Sequence, residues 1–154
     1  MRPAILFGLL TGLAAAPAAA TFDGASDRRA APLVHALYAV GTLYKYGGDS
    51  PETGFDCSGL VTHVFKKAWG VALPRRAQEQ KQVGRAVKLK ELEAGDLVFY
   101  NTRNKPYSHV GIYLGDGRFI HAPRQGARVR IESVYNPYWK ARFNGARRVD
   151  PPVI

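Results

Sequence analysis

The sequence predicts an α+β fold, with helices first and an antiparallel sheet after them. Three observations carry this. Apolar residues recur at helical spacing in two segments before residue 70. From Gly95 onward the period changes to the short alternating runs of strands. Gly115-Asp116-Gly117 sits between two of those runs as a hairpin junction. Helices followed by strands, rather than alternating with them, point to a segregated α+β arrangement.

The elements follow in chain order. A first helix is expected over residues 32–43, with Pro32 in its first turn, where a missing N–H is harmless. Leu33, Leu37, Val40 and Leu43 mark its inner face. Gly47-Gly48-Asp49-Ser50-Pro51 reads as a loop. Asp56 is suited to an N-cap and Gly70 to a C-terminal stop, which bounds a second helix over 57–69. Cys57, Leu60, Val61, Val64, Phe65 and Ala68 share one face of it, and Thr62, His63 and Lys66 the other. Pro74 breaks the chain, and residues 76–82 form a third, shorter helix. Strands are expected over 96–100, 109–114, 118–122, 128–133 and 147–149.

The N terminus has a different character. Met1 and Arg2 precede an apolar run from Ala4 to Ala16 and then Pro17-Ala18-Ala19-Ala20. This is the pattern of a secretory signal, with cleavage expected after Ala20. The run is short for a membrane anchor. Residues 21–31 are expected to be a flexible lead-in, and 32–150 one domain of ordinary size. No second apolar block suggests an integral membrane segment after cleavage.

The chain has 154 residues and a formal net charge of +10, which favours anionic partners. For an exported protein these are wall polymers, lipid head groups or nucleic acid. The basic residues are scattered, without a basic stripe interleaved with aromatics, so no nucleic-acid partner is expected. Cys57 is the only cysteine. It can form no internal disulfide, and a lone thiol in an oxidising compartment is a liability unless it is buried or used.

Cys57 is placed at the first turn of its helix, where unpaired N–H groups and the helix dipole are expected to lower the thiol's pKa. A thiolate nucleophile also needs a proton acceptor, normally His. His63 lies on the polar face of the same helix, and His35 on the first helix without notable polar neighbours. His109 and His121 differ, because they lie on the two strands joined by Gly115-Asp116-Gly117. A three-residue loop pairs Leu114 with Arg118, which sets Gly111 opposite His121 and His109 diagonal to it on the same face. Val110, Ile112 and Leu114 then point into a core. Cys57 facing this pair has the makings of a thiol peptidase, with His109 as base and His121 holding its orientation. Two other readings of the same residues stand beside it. One is a Zn site of Cys57, His109 and His121, although no short-spaced ligand pair exists. The other is a buried structural Cys with two incidental histidines.

Several runs together resemble the NlpC-type (NlpC/p60-like) cell-wall cysteine peptidases. They are Tyr44-Lys45-Tyr46-Gly47-Gly48, Gly54-Phe55-Asp56-Cys57-Ser58-Gly59-Leu60-Val61, and Leu73-Pro74-Arg75 with Gln78 and Gln80. Gly95-Asp96-Leu97-Val98-Phe99, Ser108-His109-Val110-Gly111-Ile112-Tyr113 and Phe119-Ile120-His121-Ala122 follow in the family's order. Arg76 departs from the pattern, since a small hydroxyl residue is frequent there. The resemblance implies a compact papain-like fold and a triad of Cys57, His109 and His121. It implies that Tyr44 lies beside the nucleophile, where its hydroxyl helps hold an oxyanion, and that Asp56 and Ser58 line the substrate cleft. No cofactor and no metal are expected, and the protein is expected to be a monomer. The implied substrate is the stem peptide of peptidoglycan, cut between γ-D-glutamate and the diamino acid, in the periplasm or the extracellular wall space. A carboxylate at Asp56 suits a substrate ammonium, and the surplus of Lys and Arg suits the stem's carboxylates. An amidase, an acyltransferase on lipid, or a wall-binding domain without activity are the competing readings.

Overall fold

The structure, a computed structural model, describes residues 24–153; the signal segment expected over residues 1–20 lies outside them. The first helix, α1 (Gly24–Tyr38), starts well before Pro32 and takes in most of the expected lead-in. Pro32 therefore sits inside the helix, where its ring removes the N–H that would bond the Arg28 carbonyl. The Trp69 indole N–H fills that gap, donating to the Arg28 oxygen at 2.8 Å. Of the expected apolar positions only Leu33 packs against the core. Pro32, Ala36 and Ala39 are buried, whereas Leu37, Val40 and Leu43 are about half exposed. Small residues on this face let α1 pack closely, and the helix ends at Tyr38, before the last two expected apolar positions.

A two-stranded ribbon follows, β1 (Asp49–Ser50) with β2 (Gly54–Phe55); only β1 falls inside the Gly47–Pro51 stretch expected to be loop. The second helix, α2 (Cys57–Trp69), has the expected bounds. The Asp56 side chain accepts from the Gly59 N–H at 2.7 Å, and Gly70 ends the helix in the left-handed region at φ 67°. Leu60, Val61, Val64 and Phe65 are fully buried, each contributing about 1.5–3 kcal/mol by burial. A short α3 (Ala77–Gln80) follows.

The sheet is six-stranded and antiparallel. Its strands are β3 (Arg85–Val87), β4 (Leu97–Tyr100), β5 (His109–Gly115), β6 (Arg118–His121), β7 (Arg130–Ser133) and β8 (Phe143–Arg148), in spatial order β3-β8-β4-β5-β6-β7. A helix, α4 (Pro137–Arg142), leads into β8. Leu97, Phe99, Val110, Ile112 and Ile120 pack on α2 from one face. Val98, Tyr100, Tyr113 and Phe119 pack with Trp139 of α4 on the other. Both faces are covered, which explains why β4 is buried throughout rather than alternating.

The β5–β6 hairpin differs in its turn but not in its register. Asp116 and Gly117, at φ 51° and 71°, form a two-residue turn; Gly115 pairs with Arg118 in place of the expected Leu114, which is the extra residue of a bulge. The bulge absorbs the extra residue, so Ile112 still pairs with Ile120.

Gly59 shows why the start of α2 is so tightly defined. A Cβ there would lie 2.0 Å from the Gly48 carbonyl oxygen. That oxygen accepts from the Asp56 N–H at 3.0 Å. Gly59→Ala is expected to destabilise the fold by about 1–3 kcal/mol, as overpacking against backbone does. The midpoint of denaturant unfolding measures this, and an unchanged midpoint would show that the loop gives way freely.

Candidate active site

Cys57 is the first residue of α2, carried by the Asp56 cap. Asp56 is heavily engaged. Its Oδ1 accepts from Gly59 N–H and from Arg75 Nη1 at 2.9 Å, and its Oδ2 from Arg75 Nη2 at 2.9 Å and Gly47 N–H at 3.1 Å. Arg75 Nη1 also donates to Ser58 Oγ at 2.9 Å. The fully buried Gln80 donates from Nε2 to the Ser58 and Pro74 carbonyls at 3.2 and 2.7 Å. Arg75 and Gln80 thus fix the turn that presents the thiol. The Asp56 carboxylate, expected to suit a substrate ammonium, is already ion-paired with Arg75.

The thiol's environment also corrects an expectation. Burial pushes the Cys57 thiol up from its ordinary value. The backbone N–H groups of Val110 and Ser58 pull it down, Asp56 adds to the rise and Arg103 opposes it. The rise prevails, so the helix start does not by itself give a thiolate. Desolvation of the charged form outweighs the local N–H groups.

His109 opens β5 and His121 closes β6, both almost wholly buried. His109 Nε2 and His121 Nδ1 are 2.8 Å apart. On its other side, His121 Nε2 lies 2.5 Å from Glu132 Oε2 of β7. Arg130 Nε donates to the same oxygen at 3.0 Å, and the Trp139 side chain is a further influence lowering the Glu132 carboxyl. The Trp139 ring stacks on His109, with centroids 5.4 Å apart and planes 23° from parallel. The His121 hydrogen bond is the main influence holding the Glu132 carboxyl down at about 2. Burial, then repulsion from His121 and Arg103, holds His109 well below the ordinary imidazole range. Burial lowers His121 as well, against the pull of Glu132. Both rings are therefore neutral at neutral pH, and Glu132 is an anion.

Two cavities meet at Cys57. One, of about 530 Å³, is lined by Cys57, His109, Glu132, Trp139, Arg103 and Arg124 among others. The second, of about 610 Å³, is lined by Cys57, Asp56, Ser58, Arg75, Arg76 and Lys105 among others. Tyr44 borders both, and Cys57 is among the neighbours that raise its hydroxyl's pKa after burial. All six residues singled out in the sequence thus gather here, with His121 directly behind His109. His63 lies elsewhere on α2, its ring 5.1 Å from that of Phe55. His35, on α1, lines neither cavity. The zinc arrangement conflicts with the donor set, since both ring nitrogens of His121 are taken by His109 and Glu132.

Sequence reasoning missed Glu132, Trp139 and the role of Arg75. Asn136-Pro137 is a helix-start signal, a capping residue before a first-turn Pro, and it announces the helix that carries Trp139.

A cysteine at a helix N terminus, facing a buried histidine pair on an antiparallel sheet, defines a papain-like domain. Residues 41–148 match the NlpC/P60 family, and the chain belongs to that family. It is 43% identical over 119 residues to the murein DD-endopeptidase MepH of Escherichia coli (strain K12), covering 75% of this chain and 44% of that protein. It is 46% identical over 112 residues to the gamma-DL-glutamyl hydrolase of Bacillus subtilis (strain 168), covering 72% and 27%. The crystal structure of the NlpC/p60 domain of the peptidoglycan hydrolase SagA superposes with a TM-score of 0.68 at 35% identity, covering 79% of this chain and 98% of that one. The chain thus spans less than half the length of the two curated relatives.

Proposed function

We propose that the protein is a cysteine endopeptidase of peptidoglycan stem peptides, exported to the wall space. One observation carries this: Cys57, at the head of α2, shares a cavity with His109, whose far nitrogen is held by His121. With Nε2 so engaged, Nδ1 is the ring nitrogen of His109 left to take the thiol proton. The sulfur then attacks the scissile carbonyl carbon, and the carbonyl oxygen takes up the negative charge. The helix N terminus and the Tyr44 hydroxyl stand beside Cys57 to stabilise that oxyanion. His109 returns its proton to the leaving amine and the C–N bond breaks. Water, deprotonated by His109, releases the acyl group and restores the thiol.

The bond we propose is that between γ-D-glutamate and the diamino acid. Similarity to a gamma-DL-glutamyl hydrolase and to the bifunctional muramidase/DL-endopeptidase CwlT supports it. So does the cationic lining of the first cavity, where Arg103, Arg124 and Arg130 suit the carboxylates of a stem peptide. Ammonium recognition by Asp56 alone contributes less, given its pairing with Arg75. Similarity to MepH, a DD-endopeptidase, favours a second reading in which the cross-link itself is cut. Mass spectrometry of a digest of purified peptidoglycan separates them. We expect L-alanyl-D-glutamate ends on intact glycan. Cross-links opened with full-length stems would establish the DD activity instead, and intact stems freed from glycan would make the protein an amidase.

A further inference from the structure

We propose that Glu132 is a positioning residue that sets the proton order of the histidine pair, so that the nitrogen of His109 left for Cys57 is the unprotonated one. This rests on the reading of His109 as base. An ionised carboxylate can only accept hydrogen bonds. With Glu132 Oε2 2.5 Å from His121 Nε2, that nitrogen must carry the hydrogen. A neutral imidazole has one N–H, so His121 Nδ1 is an acceptor. Its partner at 2.8 Å, His109 Nε2, is then the donor. The remaining nitrogen, His109 Nδ1, is left with a lone pair. Without Glu132 the chain can run backwards. His121 Nδ1–H would donate to His109 Nε2, and His109 Nδ1 would present a hydrogen to the thiol and accept nothing.

The same carboxylate bears on the charged state. Proton transfer from Cys57 makes a buried imidazolium, which is costly without a nearby anion. Glu132 sits at the far end of the hydrogen-bond chain and supplies that charge. The other groups facing the pair oppose or are silent. Arg103 and Arg130 are positive. Tyr100, 6.4 Å from His109 between ring centroids, has its hydroxyl pushed far up by burial and stays neutral. Phe119 and Trp139 are uncharged. Glu132 is itself held by Arg130, and the ring of Trp139 packs on His109. One carboxylate thereby orders both ends of the chain.

The test uses Glu132→Leu, which removes acceptor and charge, and Glu132→Gln, which keeps an oxygen and the shape. Steady-state kinetics on a stem-peptide substrate across pH, and nitrogen-15 NMR of the imidazoles, are the readouts. We expect Glu132→Leu to lose kcat by on the order of tenfold to a hundredfold, the scale known for orienting partners, with KM nearly unchanged. Its imidazole spectrum should show mixed tautomers. Glu132→Gln should lose less kcat, and its acid limb should move to lower pH because the imidazolium has lost its anion. The tautomer measurement, repeated in a Cys57→Ala background, does not depend on activity. Failure of His109 as base would therefore leave the proton order still measurable. A single native tautomer pattern in Glu132→Leu, or wild-type kcat with an unmoved acid limb in both variants, overturns the proposal.

Discussion

Cys57→Ala is expected to abolish hydrolysis of peptidoglycan while leaving the fold intact, a loss on the order of 10⁴-fold or more. Alanine is tolerated at a helix start, and the groups that shape this turn remain in place. Asp56 still caps through Gly59, and Arg75 still ties Asp56 to Ser58. Cys57→Ser should be nearly as inactive. Burial already raises the thiol's pKa, and a hydroxyl in the same setting is harder still to ionise. Loss of turbidity of purified wall material gives the rate, and circular dichroism the fold. EDTA is expected to leave the wild-type rate unchanged, because His121 has no ring nitrogen free for a metal. Retained activity in a folded Cys57→Ala protein would end the cysteine-peptidase reading.

Where local chemistry fixes register, the site was legible in the sequence. Asp56 and Gly70 bound α2 because a capping carboxylate and a left-handed glycine are short-range requirements. The glycines around Asp116 set the β5–β6 pairing, which brings His109 and His121 together. The same diagonal logic applies one strand further on. His121 pairs with Arg130, and Glu132 lies two residues along on the same face. It went unread because the connection between β6 and β7 is long, and its turn at Gly126 lies away from the strand ends and does not by itself set their register. The first helix failed for another reason. Its core side is made of Pro32, Leu33 and Ala36, with Ala39 buried just past its end, and an apolar pattern weighted by large residues points also to Leu37, Val40 and Leu43. The thiol's pKa shift was misjudged because burial is a tertiary property. The helix start is visible in sequence, but the desolvation that outweighs it is not.

His109→Ala is expected to lower the rate by several orders of magnitude, because base and general acid are lost together. The raised pKa of the thiol sharpens this expectation. A thiol that ionised on its own would need His109 only for the leaving amine. In this cavity burial disfavours the lone thiolate, so attack depends on transfer to His109 as well. The working form of His109 is the neutral ring. Its proton affinity is held low by burial and by His121, so the acid limb of kcat/KM is expected below the ordinary imidazole value of about 6.5. A limb above that value would contradict the burial that sets the shift. His121→Ala should cost less than His109→Ala, since water can replace an orienting partner in part. His35→Ala and His63→Ala should be near neutral, because neither ring lines the cavities at Cys57. Pre-steady-state kinetics on a defined stem peptide separate acylation from deacylation in these variants. His109→Ala should slow both phases, as both pass a proton through the same ring. A folded His109→Ala protein with acylation intact would mean that another group receives the thiol proton.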